Sequence, residues 1–472
     1  MLNSNTGSIE THQCEAWDFD NSTWTSTLNS EFNLACGSAY LASSFTSLYF
    51  MGWGFGAAFN SLLCDMYGRK TMFCLGVCLV LLCVLVPWLP SIGMILVFRF
   101  IIGFGGAFMM DSSRILSMEI VEPRLRPALM SIGMPWVLGT MAVAGLGWYF
   151  RDWRTLQMAV SLPYLLMIPI FWSPNELNLW LFIASSHIKK LVLLRKAAKW
   201  QNVTLPSDAE LEVIMDECSS QSKIRDDYLP RSRLGQMKMF FQRFSLLFRT
   251  PRLRTLTLVA YLGFTADSLV YVAMAIDGVK YSDDPFVYMV LSGLMELPSS
   301  TINVPILFKF GRKIPGMFFF FSTGVCCLVL PFIPSDIQWL TMTLALLAKG
   351  LIGMAWAALY LQCTELFPTE VRILGLGSCG IMTSIGSSLS EYISDLLTPV
   401  VPWAPSVIFG TTSILGSLAL TLLPESKGVP MPETIHELEN RDYSKILREE
   451  KPQITATEMK QSNTSLPSLN HA

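Results

Sequence analysis

Eight charged side chains fall inside or at the edge of otherwise apolar stretches of this chain: Arg99, Asp111, Arg114, Asp267, Glu296, Lys349, Glu391 and Asp395. Ionisable groups inside a membrane are costly, and as a rule they face one another or a cavity. Trp136, Tyr261, Phe264, Tyr271, Trp356 and Tyr360 add aromatic walls of the kind that suit cations and amphipathic ions, with plain helix packing as the alternative for each of them. Such a set can hold a charged solute. Nothing in it makes or breaks bonds: the 4 histidines and 11 cysteines show no metal-ligand spacing. Gly103, Gly105 and Gly106 lie within an apolar run and not between a strand and a helix, so they do not read as a nucleotide loop. No enzyme, cofactor or metal site is expected, and a net charge of −2 offers nothing to nucleic acid.

The elements that must position these residues are membrane spans. Half of the 472 residues are hydrophobic and only 15% are charged. Apolar runs near 38–60, 72–90, 92–112, 128–149, 156–173, 255–277, 286–308, 315–333, 337–360, 374–398 and 403–423 approach or exceed the roughly 20 residues a helix needs to cross a bilayer. The expectation is an all-α membrane protein. No positive segment followed by a short apolar stretch opens the chain, so no cleavable signal peptide is expected.

Lysine and arginine favour the cytoplasmic side of short loops. With the N-terminus outside, 29 of the 34 Lys and Arg residues lie inside, Arg99 and Lys349 lie in spans, and Arg151, Arg154 and Lys280 lie outside. Residues 1–37 are then extracellular, 174–254 form a basic cytoplasmic loop, and 424–472 form a cytoplasmic tail with a disordered end. Asn21 opens a glycosylation sequon on the outer side, where Cys14 and Cys36 can either pair or stay free.

The chain repeats itself. Tyr67-Gly68-Arg69-Lys70 returns as Phe310-Gly311-Arg312-Lys313 after 243 residues, and Glu119, Pro123 and Arg126 return as Glu365, Pro368 and Arg372 after about 246. Two helical bundles in the same orientation follow, at 38–173 and 255–423. Subtracting the offset from the span at 255–277 lands on polar sequence near 10–32, so a helix equivalent to it is expected to be absent from this sequence.

Residues 52–70, ending in Asp65-Met66-Tyr67-Gly68-Arg69-Lys70, resemble the loop between the second and third helices of major facilitator transporters. Three further blocks resemble the organic cation, carnitine and organic anion transporters. They are Arg151-Asp152-Trp153-Arg154-Thr155-Leu156-Gln157, Thr364-Glu365-Leu366-Phe367-Pro368-Thr369-Glu370-Val371-Arg372, and Pro424-Glu425-Ser426-Lys427-Gly428, which runs on into Pro430-Met431-Pro432-Glu433-Thr434-Ile435. The similarity covers residues from about 14 to 439. It implies a major facilitator fold of two pseudo-repeated bundles, with about 11 transmembrane helices here against 12 in the family, and with residues 1–37 as the end of a large glycosylated outer loop.

The resemblance further implies alternating access by a multi-pass carrier of the plasma membrane. A small organic cation or a zwitterion such as carnitine is the expected substrate. An organic anion carrier, or a transport-inactive membrane protein that binds a partner, are the alternatives. The expected partners are the small ion and the lipid bilayer, and a second copy of the chain stays open.

Asp65, Gly68, Arg69, Lys70, Glu119, Arg126, Gly311, Arg312, Lys313, Glu365 and Arg372 are the gating candidates, with opposite charges at one end of the spans able to bridge the halves. Gly52, Gly54 and Gly56 are expected to form one small-residue face for a neighbouring helix. The substrate candidates are Trp136, Tyr261, Asp267, Tyr271, Glu296, Lys349, Tyr360, Ser384 and Glu391. Ser384 stands where cation carriers resemble one another in an acidic residue, and Glu391, two turns on, is a candidate replacement. Ser300 stands where anion carriers tend to have lysine.

Overall fold

The computed structural model describes residues 18–19, 22–120, 134–172, 244–276, 282, 284–334, 337–429 and 431–441, with the backbone alone at Cys36, Ser61, Leu62, Asp65, Met66, 115–120, 134–135, 169–172 and Ile373. Asn21, Cys14, Arg126, most of the 174–254 loop and the tail beyond 441 lie outside the described residues.

Each of the eleven apolar runs falls on a helix. They are α1 (Ala39–Tyr67), α2 (Arg69–Leu81, continued as a tighter helix over Leu82–Trp88), α3 (Ile92–Ile120), α4 (Met134–Tyr149) and α5 (Trp153–Ser161, continued over Leu162–Trp172). A second set comprises α6 (Pro251–Ile276), α7 (Pro285–Phe310), α8 (Lys313–Val329, continued over Leu330–Phe332), α9 (Gln338–Leu366), α10 (Arg372–Leu397) and α11 (Ala404–Leu420). Of these segments, Arg69–Trp88, Ile92–Arg114, Pro251–Ile276, Lys313–Phe332 and Gln338–Leu366 are long and apolar enough to cross a membrane on length and composition alone.

The repeat seen in the sequence is present in the backbone. α1 stops at Gly68 with φ +85°, and α7 stops at Gly311 with φ +91°. Both positions need glycine, because a β-carbon is strained there. The chain turns at each and enters the next helix at once.

Within the first bundle α1 lies along α3 at backbone contact. A β-carbon on Gly52 would stand 2.1 Å from the Phe100 carbonyl oxygen, and one on Gly103 would stand 2.0 Å from that of Tyr49. Close backbone approach of this kind supplies the van der Waals packing that holds helices together in lipid. α2 packs on α3, and the start of α5 packs on the end of α2. In the second bundle α6 is central, packed on α9, α10 and α11 with Ala260, Phe264, Val270 and Ala273 buried.

At one end of the molecule a short segment before α1 is tied to the first bundle. Glu31, in the short helix Leu28–Glu31, is bound by Arg154, whose Nε donates to it at 3.0 Å, and by the Trp153 indole at 2.8 Å. The Arg154 guanidinium also reaches the carbonyls of Pro87 and Leu89. Asp152 caps α5 by accepting from the Thr155 amide at 3.0 Å.

Candidate functional site

The two bundles meet along α1 with α10 and along α4 with α7. The first contact is a seam of small polar residues. Ser43 donates to Asp395 at 2.8 Å, Ser44 and Tyr392 share a hydrogen bond at 2.9 Å, and Ser47 and Ser388 each donate to the other's backbone carbonyl. Further along, a β-carbon on Gly54 would lie 2.8 Å from Cβ of Ser384. The second contact places Phe286, at the start of α7, against Gly147 of α4 and against Trp24, whose ring lies 5.2 Å away. These described links cluster at the end that carries Glu31.

One expectation changes here, that of a single glycine face. Gly52 and Gly56 face α3, whereas Gly54 faces α10. Residues two apart on a helix are about 200° apart, so the three glycines serve two interfaces and not one. Ser384, expected in a substrate pocket, is 4% exposed, donates to the Gly380 carbonyl and fills the space beside Gly54. Glu391 is buried two turns further along α10, near the seam.

Between the two interfaces lies a polar chain. The Tyr271 hydroxyl of α6 donates to Glu296 of α7 at 2.6 Å. The Lys349 ammonium of α9 stands 3.5 Å from the same carboxylate oxygen, donates to Ser292 at 3.0 Å and lies 5.6 Å from the centre of the Tyr271 ring. Trp136 of α4, otherwise exposed, approaches the Tyr271 hydroxyl from the other bundle. The structure thus brings Trp136, Tyr271, Glu296 and Lys349 together, with Ser292 added to them.

The remaining candidates are spread out. Trp356 and Tyr360 stack at 5.3 Å on the lower part of α9, within electrostatic range of the Asp111–Arg114 pair on α3. Asp267 is enclosed in the second bundle with one carboxylate oxygen lacking a hydrogen-bond partner. Phe264 is core, and Tyr261 packs edge-on to Phe248. Ser300 bonds only its own helix, at the Leu297 carbonyl.

At the end opposite Glu31, three sequence blocks converge. Arg312 donates to Glu365 at 2.9 Å, and Ser426 donates to the other oxygen of Glu365 at 2.6 Å. Glu425 accepts from the backbone amides of Arg312 and Lys313 at 2.9 and 3.1 Å. Lys313 reaches the Thr421 carbonyl. The tail then docks: Thr369 binds the Glu433 carbonyl, Glu370 accepts from the Ile435 amide, and Glu439 caps α6 at Arg252 and Leu253.

The charges of the second bundle were expected to bridge the halves, with Glu365 and Arg372 as candidate partners for the loop charges. In the structure the described partners of Arg312 and Glu365 lie within the second bundle, and Glu365 pairs with Arg312. Arg372 donates to the Phe367 carbonyl instead. The equivalent side chains of Asp65 and Glu119, and Arg126 as a whole, lie outside the described residues, and Arg69 and Lys70 begin α2.

Ser43, Ser47, Ser388 and Glu425 were not singled out as site residues by sequence, whereas Asp395 was visible as a charge in a span. The signal for the seam was the run of serines at three- and four-residue spacing in two apolar spans, the pattern of a close helix interface.

Two helical bundles related by an internal repeat, closed on one side over a central polar chain, define a membrane solute carrier. The model of the Major Facilitator Superfamily matches residues 20–391, and the chain belongs to that superfamily. Its curated relatives are organic ion transporters, as the motifs indicated. It is 29% identical over 435 residues to an organic cation transporter protein of Drosophila melanogaster, covering 92% of this chain and 78% of that protein. It is 29% identical over 418 residues to organic anion transporter 3 of Oryctolagus cuniculus, covering 88% and 74%. Among solved structures, the inward open xylose transporter XylE of E. coli superimposes with a TM-score of 0.65 at 15% identity, covering 89% of this chain and 92% of that one. The chain is therefore a multi-pass membrane transporter and not an enzyme.

Proposed function

We propose that this protein carries a small zwitterion of the carnitine type across the plasma membrane by alternating access. The observation that carries the substrate class is the Glu296–Lys349 pair, held at 3.5 Å beside Tyr271 and Trp136. Separating a buried ion pair leaves two uncompensated charges, at a cost of several kcal/mol. A zwitterion can insert its cationic group at Glu296 and its carboxylate at Lys349, so both charges stay matched. Aromatic faces at Trp136 and Tyr271 suit a quaternary ammonium. A bare cation would leave Lys349 unmatched, and a bare anion would leave Glu296 so.

The basic end, with Gly68 and Gly311, faces the cytoplasm by the distribution of Lys and Arg. The serine seam is then the outer gate, closed here, and transport requires it to part. No ATP site is needed: a zwitterion of zero net charge can move down its own gradient, in exchange for another solute, or together with an ion that gains about 2.3 kcal/mol per elementary charge per 100 mV of potential. Uptake of labelled tetraethylammonium, carnitine, p-aminohippurate and urate, normalised to surface abundance, tests the assignment. Saturable carnitine uptake is expected, and preference for p-aminohippurate or urate would refute it.

A further inference from the structure

Arg99 lies in the first third of α3, between α1 and α5 of the first bundle, and takes no part in the site above. Its guanidinium stacks 3.7 Å over the Phe45 ring of α1, and among the described residues its one hydrogen bond is from Nη2 to Oε1 of Gln157 on α5, at 3.1 Å. Nε is out of solvent and has no hydrogen-bond partner, although the side chain as a whole is only partly covered. Tyr49 and Cys83 are the other titratable groups near it, and both are neutral at pH 7 in their ordinary states.

The described carboxylates nearest to it are engaged elsewhere. Glu31 holds Arg154 and Trp153, Asp152 caps α5, and Asp111 lies twelve residues further along α3, about 18 Å away, beside Arg114. A permanently charged guanidinium inside a membrane protein calls for a counter-charge. Here the described protein surrounds it with an amide, an aromatic ring and neutral hydroxyl and thiol groups.

We propose that Arg99 is the cationic floor of a binding site for a compact monovalent anion, either chloride or a small carboxylate, with Gln157 orienting the guanidinium. Gln157 is itself fixed, donating through Nε2 to Ser161 at 3.2 Å. The Phe45 ring covers one face of the guanidinium, so the anion approaches an N–H edge, the geometry in which guanidinium binds anions best. The block of sequence from Arg151 to Gln157 thereby has two duties: its first part clamps Glu31, and its last residue sets the anion site.

The test is thermal unfolding of the purified full-length chain in detergent, in potassium gluconate, titrated at constant ionic strength with chloride or with acetate. A ligand that binds only the folded state raises the midpoint saturably. A saturable rise of a few degrees is expected with chloride, with acetate, or with both, and the pattern identifies which anion the site takes. Arg99→Gln should flatten the response. Gln157→Glu places a carboxylate at the 3.1 Å position, so it should raise the midpoint in gluconate and remove the response to added anion. It also serves if Arg99→Gln does not fold. A wild-type midpoint indifferent to both anions, or a saturable response that survives in Gln157→Glu, would overturn the proposal. The readout involves no transport, so it fails or succeeds independently of the substrate assignment.

Discussion

Ser47 and Ser388 each donate a hydrogen bond to the other's backbone carbonyl, at 2.9 and 3.1 Å, and so link the two bundles through neutral groups. Neutral hydrogen bonds contribute only about 0.5–1.5 kcal/mol each. A seam built mostly from them, with the Ser43–Asp395 bond reaching a carboxylate, can close firmly and still part during a transport cycle.

Replacing both residues by cysteine tests the seam as a moving gate. Oxidation of the Ser47→Cys/Ser388→Cys double variant should cross-link α1 to α10 and abolish uptake, and reductant should restore it. Full uptake by a cross-linked protein would show that the seam does not part during transport.

Gly54 faces Ser384 with no room for a side chain, since a β-carbon there would lie 2.8 Å from Cβ of the serine. Gly54→Val should wedge the seam open. Labelling of a cysteine placed at Ser47 by a membrane-impermeant thiol reagent should rise several-fold in that background, and unchanged labelling would mean that the helices accommodate the wedge.

The repeated glycines make an internal comparison. Both have positive φ, so an alanine at either costs on the order of 1–3 kcal/mol in backbone strain. Around Gly68 a β-carbon meets nothing within 4 Å, whereas at Gly311 it would lie 2.6 Å from the Glu425 carboxylate. Gly311→Ala should therefore lower the thermal midpoint more than Gly68→Ala and weaken the contact between α8 and the Pro424 segment. Equal losses would refute the role given to Glu425.

The Glu31 clamp gives a dependence on pH. The hydrogen bonds from Arg154 chiefly, then from Trp153, hold its carboxyl below the ordinary carboxylate range despite partial burial. A group with a depressed folded value contributes stability that is fully present above its unfolded pKa, about 4.3, and is lost as pH falls through the folded value. Proteolytic nicking of the segment before α1 should be flat above about pH 5 and increase below about pH 4. In Glu31→Gln that rise should vanish. A transition between pH 6 and 8 would point to a different group.

The helices were legible because lipid imposes long apolar runs, and the turns at Gly68 and Gly311 because only glycine suits their backbone. The partners of the charges were less so. Arg312 and Glu365 stand in separate sequence blocks, and their pairing within one bundle became apparent only with the approach of α8 to α9 and the arrival of the Pro424 segment. The seam was missed because serine in a span carries no strong signal by itself. The packing role of Ser384 was hidden for a related reason: a position charged in resembling carriers reads as a pocket, while its small side chain also lets α10 close onto Gly54. Arg99 was visible as an intramembrane charge, but Gln157, its one polar partner among the described residues, became apparent only once α5 was placed beside α3.

The central claim is that Glu296 and Lys349 take a zwitterion between them. It is tested most directly by saturable uptake of labelled carnitine in cells expressing the wild type, Glu296→Gln, Lys349→Met and the double variant, each normalised to surface abundance. The account predicts saturable uptake by the wild type, a loss of at least about tenfold in uptake at low substrate in each single variant, equivalent to about 1.4 kcal/mol, and no further proportional loss in the double. Wild-type levels of carnitine uptake in Glu296→Gln, or no saturable uptake by a wild-type chain present at the surface, would contradict it.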